Sequence, residues 1–369
     1  MTPKQFNPCY VTCPYRDVPA TSLWASAIAS LPLDQLNPQL PSPLRMSQRT
    51  RIGTAGSCFS QHISRALVRK GLSFQIVEPA PEWFTPEDRA NYNYEVFSAR
   101  YGNIYTALQL VQLFERAYGR FQPEDFCWRS PDGRWFDLLR PRIQPNGFAS
   151  RQELVVDQQC HLAAVRRLFE TVEVFIFTLG LTEAWLSRKD GTVYPTCPGC
   201  GVGEFSPERY CFHNFTVAEV TAHLDAFLNG LRAVNPGAHV ILTVSPVPLA
   251  ATMEPRHVLQ STIYSKSVLR VAAEETILRW SNTSYFCSFE IITATFRSHE
   301  FFTADRRSVA PSAVDLAISL FLKQFSSSDE TAAEPAPKIE HATPGSSDGS
   351  EVICDEAIVF AALADHRAA

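Results

Sequence analysis

The chain has 369 residues, which at roughly 150 residues per domain allows one large domain or two. Hydrophobic residues make up 45% and charged residues 19%, with 25 Phe and 6 Trp, which excludes wholesale disorder. The net charge of −5, from 33 basic and 38 acidic residues, leaves no general basic surface, so no nucleic-acid partner is expected.

Residues 1–48 are rich in Pro and polar residues, with one short helical pattern around 22–31, and read as an arm wrapping a core. From Thr50 the pattern becomes α/β. A short strand at 51–55 runs through Gly56-Ser57-Cys58 into a helix at 59–70, where Phe59, Ile63, Ala66 and Leu67 repeat at the spacing of one apolar face. Gly71 stops that helix, and 73–77 reads as the next strand. Helices follow at 106–117 and 153–170. Residues 172–179 form a buried strand, 217–234 a helix, and 239–244 a second buried strand. A helix at 258–281, a strand at 285–292 and a helix at 312–325 complete the pattern.

Buried apolar strands alternating with long helices signal βαβ units: an α/β fold, a three-layer α/β/α sandwich with a mostly parallel central sheet. The domain is expected over 49–325. Residues 326–350 hold no aromatic and only Ile339 as a large apolar residue, so 326–369 reads as a disordered tail. Its last stretch, 351–369, reads either as a short partner-binding helix or as a frayed end.

Residues 1–10 lack the basic and apolar regions of a signal peptide. The greasiest stretch, 172–181, falls short of the ~20 residues a membrane helix needs. A cytoplasmic protein without a membrane partner is therefore expected, and its ten cysteines are expected to be mainly reduced thiols.

In an open parallel sheet, ligands bind at the carboxyl ends of the strands. Behind the first strand stand Ser57 and Cys58, at a helix N-terminus where unpaired N–H groups and the dipole favour negative charge. That lowers a thiol pKa and offers oxyanion donors. The alternative is structural, with Ser57 capping the helix and Cys58 filling core volume.

Gly56-Ser57-Cys58-Phe59-Ser60 resembles the signature of the GSCFA domain family, with Ser60 where the name has alanine. Further blocks are similar: Tyr101 through Ala107, Phe177 through Trp185, Leu242 through Leu249 and Tyr264 through Arg270. The resemblance covers roughly 13–325. It implies a branch of the SGNH (GDSL-like) hydrolases, α/β esterases and acyl-carbohydrate enzymes that need no metal or cofactor.

Carried over residue by residue, the resemblance puts Cys58 in the nucleophile slot, or Ser57 with an offset of one. Gly56 and Gly180 fall in the glycine positions. Thr182 stands where an oxyanion Asn is expected, with Asn103 as an alternative donor. Asp305 supplies the late acid, but Ser308 occupies the expected histidine position, and a serine is no general base near neutral pH. His257, His299 or Glu183 would then serve as acid/base. The implied function is hydrolysis or acyl transfer on a small-molecule or carbohydrate ester. The competing reading is an impaired scaffold that binds a glycan or a protein partner.

Cys197-x-x-Cys200 with Cys211-x-His213 offers four soft ligands, but the second pair is tighter than zinc half-sites usually are, so the stretch reads as a loop with incidental thiols. Arg140, Arg142, Arg306 and Arg307 could hold an anionic substrate or lie dispersed on the surface.

Overall fold

The computed structural model describes residues 15, 18–31, 36–38, 42–294, 301–326 and 355. The chain clusters into two units, Met1–Leu40 and Pro41–Ala369. The first contains a 3₁₀ turn, Ala20–Ser22, and a π-helical turn, Ala25–Ala29, whose end Ser30 closes by donating to the Ala25 carbonyl at 2.6 Å.

In the larger unit, β1 (Ile52–Gly56) leads into α1 (Phe59–Arg69). A short α2 (Pro86–Asn91) precedes α3 (Ala107–Ala117). Thr106 caps α3, and Gln109 reaches back to the Tyr105 and Thr106 N–H groups at 2.9 and 3.1 Å. A hairpin of β2 (Cys127–Arg129) and β3 (Trp135–Asp137) comes next, then α4 (Arg151–Thr171), started by the Ser150 cap. β4 (Val174–Leu179) is buried along its whole length.

After β4 the chain makes an antiparallel sheet of β5 (Glu183–Ser187), β6 (Val193–Tyr194) and β7 (Tyr210–Asn214). Then follow α5 (Val217–Val234), β8 (His239–Val244), α6 (Val258–Arg279), β9 (Thr283–Phe286), α7 (Ser288–Thr293) and α8 (Pro311–Phe325).

The central sheet is parallel, in the order β1-β4-β8-β9, with Gly56 opposite Thr178 and Leu179 opposite Val244. Alternation along the strands makes two faces. Phe175, Phe177, Leu242 and Val244 pack with α3 to α6, where the rings of Phe114 and Phe169 stand 5.3 Å apart. Val174, Ile176 and Ile241 pack with Phe59 and Ile63 of α1 and with Ile318 and Phe321 of α8. The result is the expected α/β class: a parallel sheet with helices on both faces. Burying one such Phe contributes ~1.5–3 kcal/mol, and these layers hold the strand ends in place.

Three expectations need correction. Residues 73–77 are not a strand; only the bridge between Ile52 and Phe74 joins them to β1. The strand expected at 285–292 ends at Phe286 as β9, and its remainder from Ser288 belongs to helix α7. The short β-hairpin and the β5-β6-β7 sheet had no clear signal, because their strands are short and only half-buried. The calls on 327–354 and 356–369 fall outside the described residues.

Candidate active site

Strand β1 ends on Gly56 at φ +142°, where a Cβ would sit 2.5 Å from the Thr178 carbonyl oxygen. Only glycine fits so close to a parallel neighbour at that φ. The Ser57 N–H donates to the Thr178 carbonyl at 3.1 Å, and the chain turns at once into α1: the Ser57 and Cys58 carbonyls accept from Ser60 and Gln61 at 2.9 and 3.1 Å. Ser57 and Cys58 are 2% and 5% exposed. The Ser57 hydroxyl does not cap the helix; its Oγ is buried without a hydrogen-bond partner among the described residues. Of the first-turn N–H groups of α1, which a helix cannot satisfy from its own ladder, those of Ser60 and Gln61 are thus taken up within the turn.

The segment from Tyr101 to Tyr105 is stitched between β1 and β4. The Tyr101 hydroxyl donates to the Thr54 carbonyl. The Ile104 N–H donates to the Gly56 carbonyl at 2.8 Å, and the Tyr105 carbonyl accepts from Gly180 and Leu181, each at 3.0 Å. Asn103 is thereby brought beside the Ser57–Cys58 turn, 4% exposed. The Gln61 amide donates to Asn103 Oδ1 at 3.2 Å, which turns Asn103 Nδ2 outward as a donor. That donor meets the carboxylate of Asp355 at 2.8 Å, and the Asp355 N–H donates to the Tyr105 hydroxyl oxygen at 3.1 Å.

Gly180 packs directly against the nucleophile candidates: a Cβ there would lie 2.7 Å from Ser57 Cβ and 3.2 Å from the Tyr105 ring. Its carbonyl accepts from Lys266 Nζ at 2.7 Å, with Lys266 only 2% exposed. Thr182 has both donors engaged. Its N–H donates to Ser265 Oγ at 3.0 Å and its hydroxyl to Asn214 Oδ1 at 2.7 Å. Each of the two oxyanion candidates weighed thus meets a partner within the protein, Asn103 through Asp355 and Thr182 through Ser265 and Asn214.

The acid/base candidates scatter. Asp305 sits in an exposed turn, where its carboxylate accepts from the Ser308 hydroxyl at 2.7 Å, the Thr303 hydroxyl at 2.7 Å and the Arg307 and Ser308 N–H groups, each at 2.9 Å. Burial works the other way, but these donors hold its carboxyl well below the usual carboxylate range. His257 is the exposed N-cap of α6, its Nδ1 accepting from the Leu259 N–H at 3.1 Å. His299 lies outside the described residues.

Glu183 is half-buried at the start of β5, three residues past Gly180. It accepts from the Thr252 hydroxyl at 2.6 Å and the Met253 N–H at 3.3 Å. Burial pushes its carboxyl above the usual range.

The remaining groups do not converge. Arg140 is buried in ion pairs with Asp137 at 2.9 Å and Asp157 at 2.6 Å, whereas Arg306 belongs to the exposed Asp305 turn. Cys211 donates to the Leu186 carbonyl, and His213 Nε2 pairs with Glu219 at 2.8 Å. Among the described residues no group of three or more His, Cys, Asp or Glu could hold a metal ion. No described helix is long and apolar enough to cross a membrane.

Sequence reasoning missed Gln61, Tyr105, Lys266 and Asp355. Gln61 carried a signal, one helical turn after Cys58 on the same face of α1. For Asp355, 252 residues from Asn103, there was none.

Fold and site together define an α/β protein with a hydroxyl and a thiol held behind the first strand of a parallel sheet. The GSCFA family model matches residues 51–321, and the chain belongs to that family. No curated protein matches it. Among solved structures, it is similar to a carbohydrate esterase family 3 protein from Talaromyces cellulolyticus, at 10% identity and TM-score 0.34, covering 74% of this chain and 94% of that one. It is also similar to an acetyl esterase mutant with acetate ion, at 10% identity and TM-score 0.32, covering 73% and 93%. Likenesses of this size carry over neither fold nor chemistry.

Proposed function

We propose that this protein is an ester hydrolase or acyltransferase whose nucleophile stands at the Ser57–Cys58 turn, with an acylated carbohydrate as the substrate class. The observation that carries this reading is the pairing of a buried Ser57 hydroxyl, without a partner among the described residues, and a helix-start thiol with the amide of Asn103, oriented by Gln61. The nucleophile adds to the ester carbonyl, and the oxyanion takes hydrogen bonds from Asn103 Nδ2 and a backbone N–H at the Cys58–Phe59 start of α1. The alcohol leaves with a proton, and water or an acceptor alcohol then takes the acyl group. Glu183, with its raised pKa and its place past Gly180, is the acid/base group of this reading.

Purified wild type, Ser57→Ala and Cys58→Ala would each be treated with iodoacetamide, a fluorophosphonate probe and a simple acyl ester. Labelling of one residue with pH-dependent turnover, lost in its alanine variant by roughly 10⁴-fold or more, supports the reading and identifies the nucleophile. Absence of both turnover and labelling at either residue sinks it. A binding scaffold is the second reading, favoured by one fact: no histidine contacts the Ser57 hydroxyl among the described residues.

A further inference from the structure

Next to Gly180 opens a cavity of about 320 Å³. That is within the ~300–1,000 Å³ of small-molecule sites. Tyr105, whose ring would lie 3.2 Å from a Cβ on Gly180, and Leu181 line it, so it adjoins the segment that packs against Ser57. Behind them Ala184, Trp185, Phe212 and Ala251 make an apolar wall.

Several of the polar groups in the cavity already have partners within the protein. Gln109 Oε1 accepts from the Tyr105 and Thr106 N–H groups. Glu183 is held by Thr252 and Met253, and the Tyr194 hydroxyl donates to the Asp125 carbonyl at 3.0 Å. The Cys197 thiol donates to the Pro198 carbonyl at 3.5 Å. A sugar placed here would lose water from its hydroxyls and gain few bonds in return, at a cost of roughly 1–3 kcal/mol for each group left unmade. An apolar guest loses nothing of that kind and gains the burial of its surface.

We infer that this cavity takes the acyl side of the substrate, an apolar medium-chain or aromatic acyl group, while the carbohydrate lies outside it. The inference rests on the hydrolase or acyltransferase reading for its chemistry, but the cavity's preference for an apolar guest can be measured apart from turnover.

The test compares kcat/KM for 4-nitrophenyl octanoate and acetate in the full chain, in Ala251→Trp, which narrows the cavity from an exposed loop, and in Ala184→Val, which narrows it from β5. Thermal unfolding checks that each variant is folded. The inference expects octanoate to be preferred by roughly tenfold or more, and the octanoate-to-acetate ratio to fall at least severalfold in both folded variants. Equal use of the two esters, or a ratio that neither variant moves, overturns it and leaves the proposed activity standing.

If no ester is turned over, the proposed activity fails and binding decides the cavity by itself. The fluorescence of N-phenyl-1-naphthylamine would then be followed with the protein, with octanol as competitor. Saturable binding that octanol displaces, weakened in Ala251→Trp, supports the apolar site. No binding, or binding unchanged in both variants, overturns it.

Discussion

Two turns of this molecule bring the same kinds of polar groups to strand or loop ends and use them in opposite ways. At Thr303–Ser308 an acid and two hydroxyls are exposed, and each carboxylate oxygen of Asp305 is taken up by its own loop. At Gly56–Phe59 the hydroxyl of Ser57 is buried and has no partner among the described residues, while the Gly56 carbonyl and the Ser57 N–H are fixed by Ile104 and by Thr178 of β4. A group satisfied within its own turn stabilises that turn. A group held in place with unused hydrogen-bonding capacity is available to a substrate.

The largest effect that separates the two turns is expected at Asn103. Asn103→Ala should lower kcat for a simple ester by ~10²–10³-fold, the size of a lost oxyanion donor. Ser308→Ala should stay within about twofold, like an ordinary surface substitution. Equal losses in steady-state rates would break the distinction.

Gly180→Ala comes next. Its new Cβ, 2.7 Å from Ser57 Cβ, must push the nucleophile turn aside. A displacement of that kind costs about 10²-fold in kcat/KM, and a crystal structure of the variant should show Ser57 moved. An unchanged rate would mean that the position of Ser57 does not matter.

Asp355 supplies a smaller effect of opposite sign. Its carboxylate occupies the Asn103 donor at 2.8 Å, where the oxyanion of the proposed reaction would bind. Asp355→Ala should therefore raise kcat/KM, by up to about tenfold for the loss of one charged hydrogen bond. A fall would instead make Asp355 part of the working site.

The last prediction concerns stability. Glu78 contacts His161 at 2.7 Å and the Arg100 N–H at 2.8 Å. Burial pushes its carboxyl up, but the His161 ring, Arg140 and that N–H outweigh burial and hold its pKa at about 2. Burial, then Arg140, lowers the His161 pKa from its ordinary 6.5.

The folded state thus favours ionised Glu78 and neutral His161. The Glu78 contribution is complete above its ordinary 4.5 and is lost as pH falls toward about 2. The cost of His161 begins below its ordinary 6.5. Thermal midpoints should fall gradually below about pH 6.5 and more steeply below about 4.5, with Glu78→Gln flattening the lower limb. A flat profile would count against this pairing. Like Asp305, Glu78 is an acid engaged in structure.

Much of the fold was legible because its signals are local. The apolar runs at 174–179 and 239–244, the face of α1 and the Thr106 and Thr216 caps each lie within one stretch of chain. The strand-like run at 288–292 misled for the same reason: a short buried helix and a short buried strand look alike in composition.

The sequence singles out Ser57 and Cys58 as the candidate position, because a strand, a glycine and a helix start are consecutive there. It could not say which distant groups would meet them. Register across parallel strands put Gly56 against Thr178, and the Tyr101–Tyr105 segment carried Asn103 to the turn. Packing engaged both donors of Thr182 with Ser265 and Asn214, left Asp305 in its own exposed loop, and brought Asp355 from the end of the chain to Asn103. A hydrogen bond needs its two atoms at about 3 Å. Local pattern sets the direction of each strand and helix, but only the folded chain sets the distance between them.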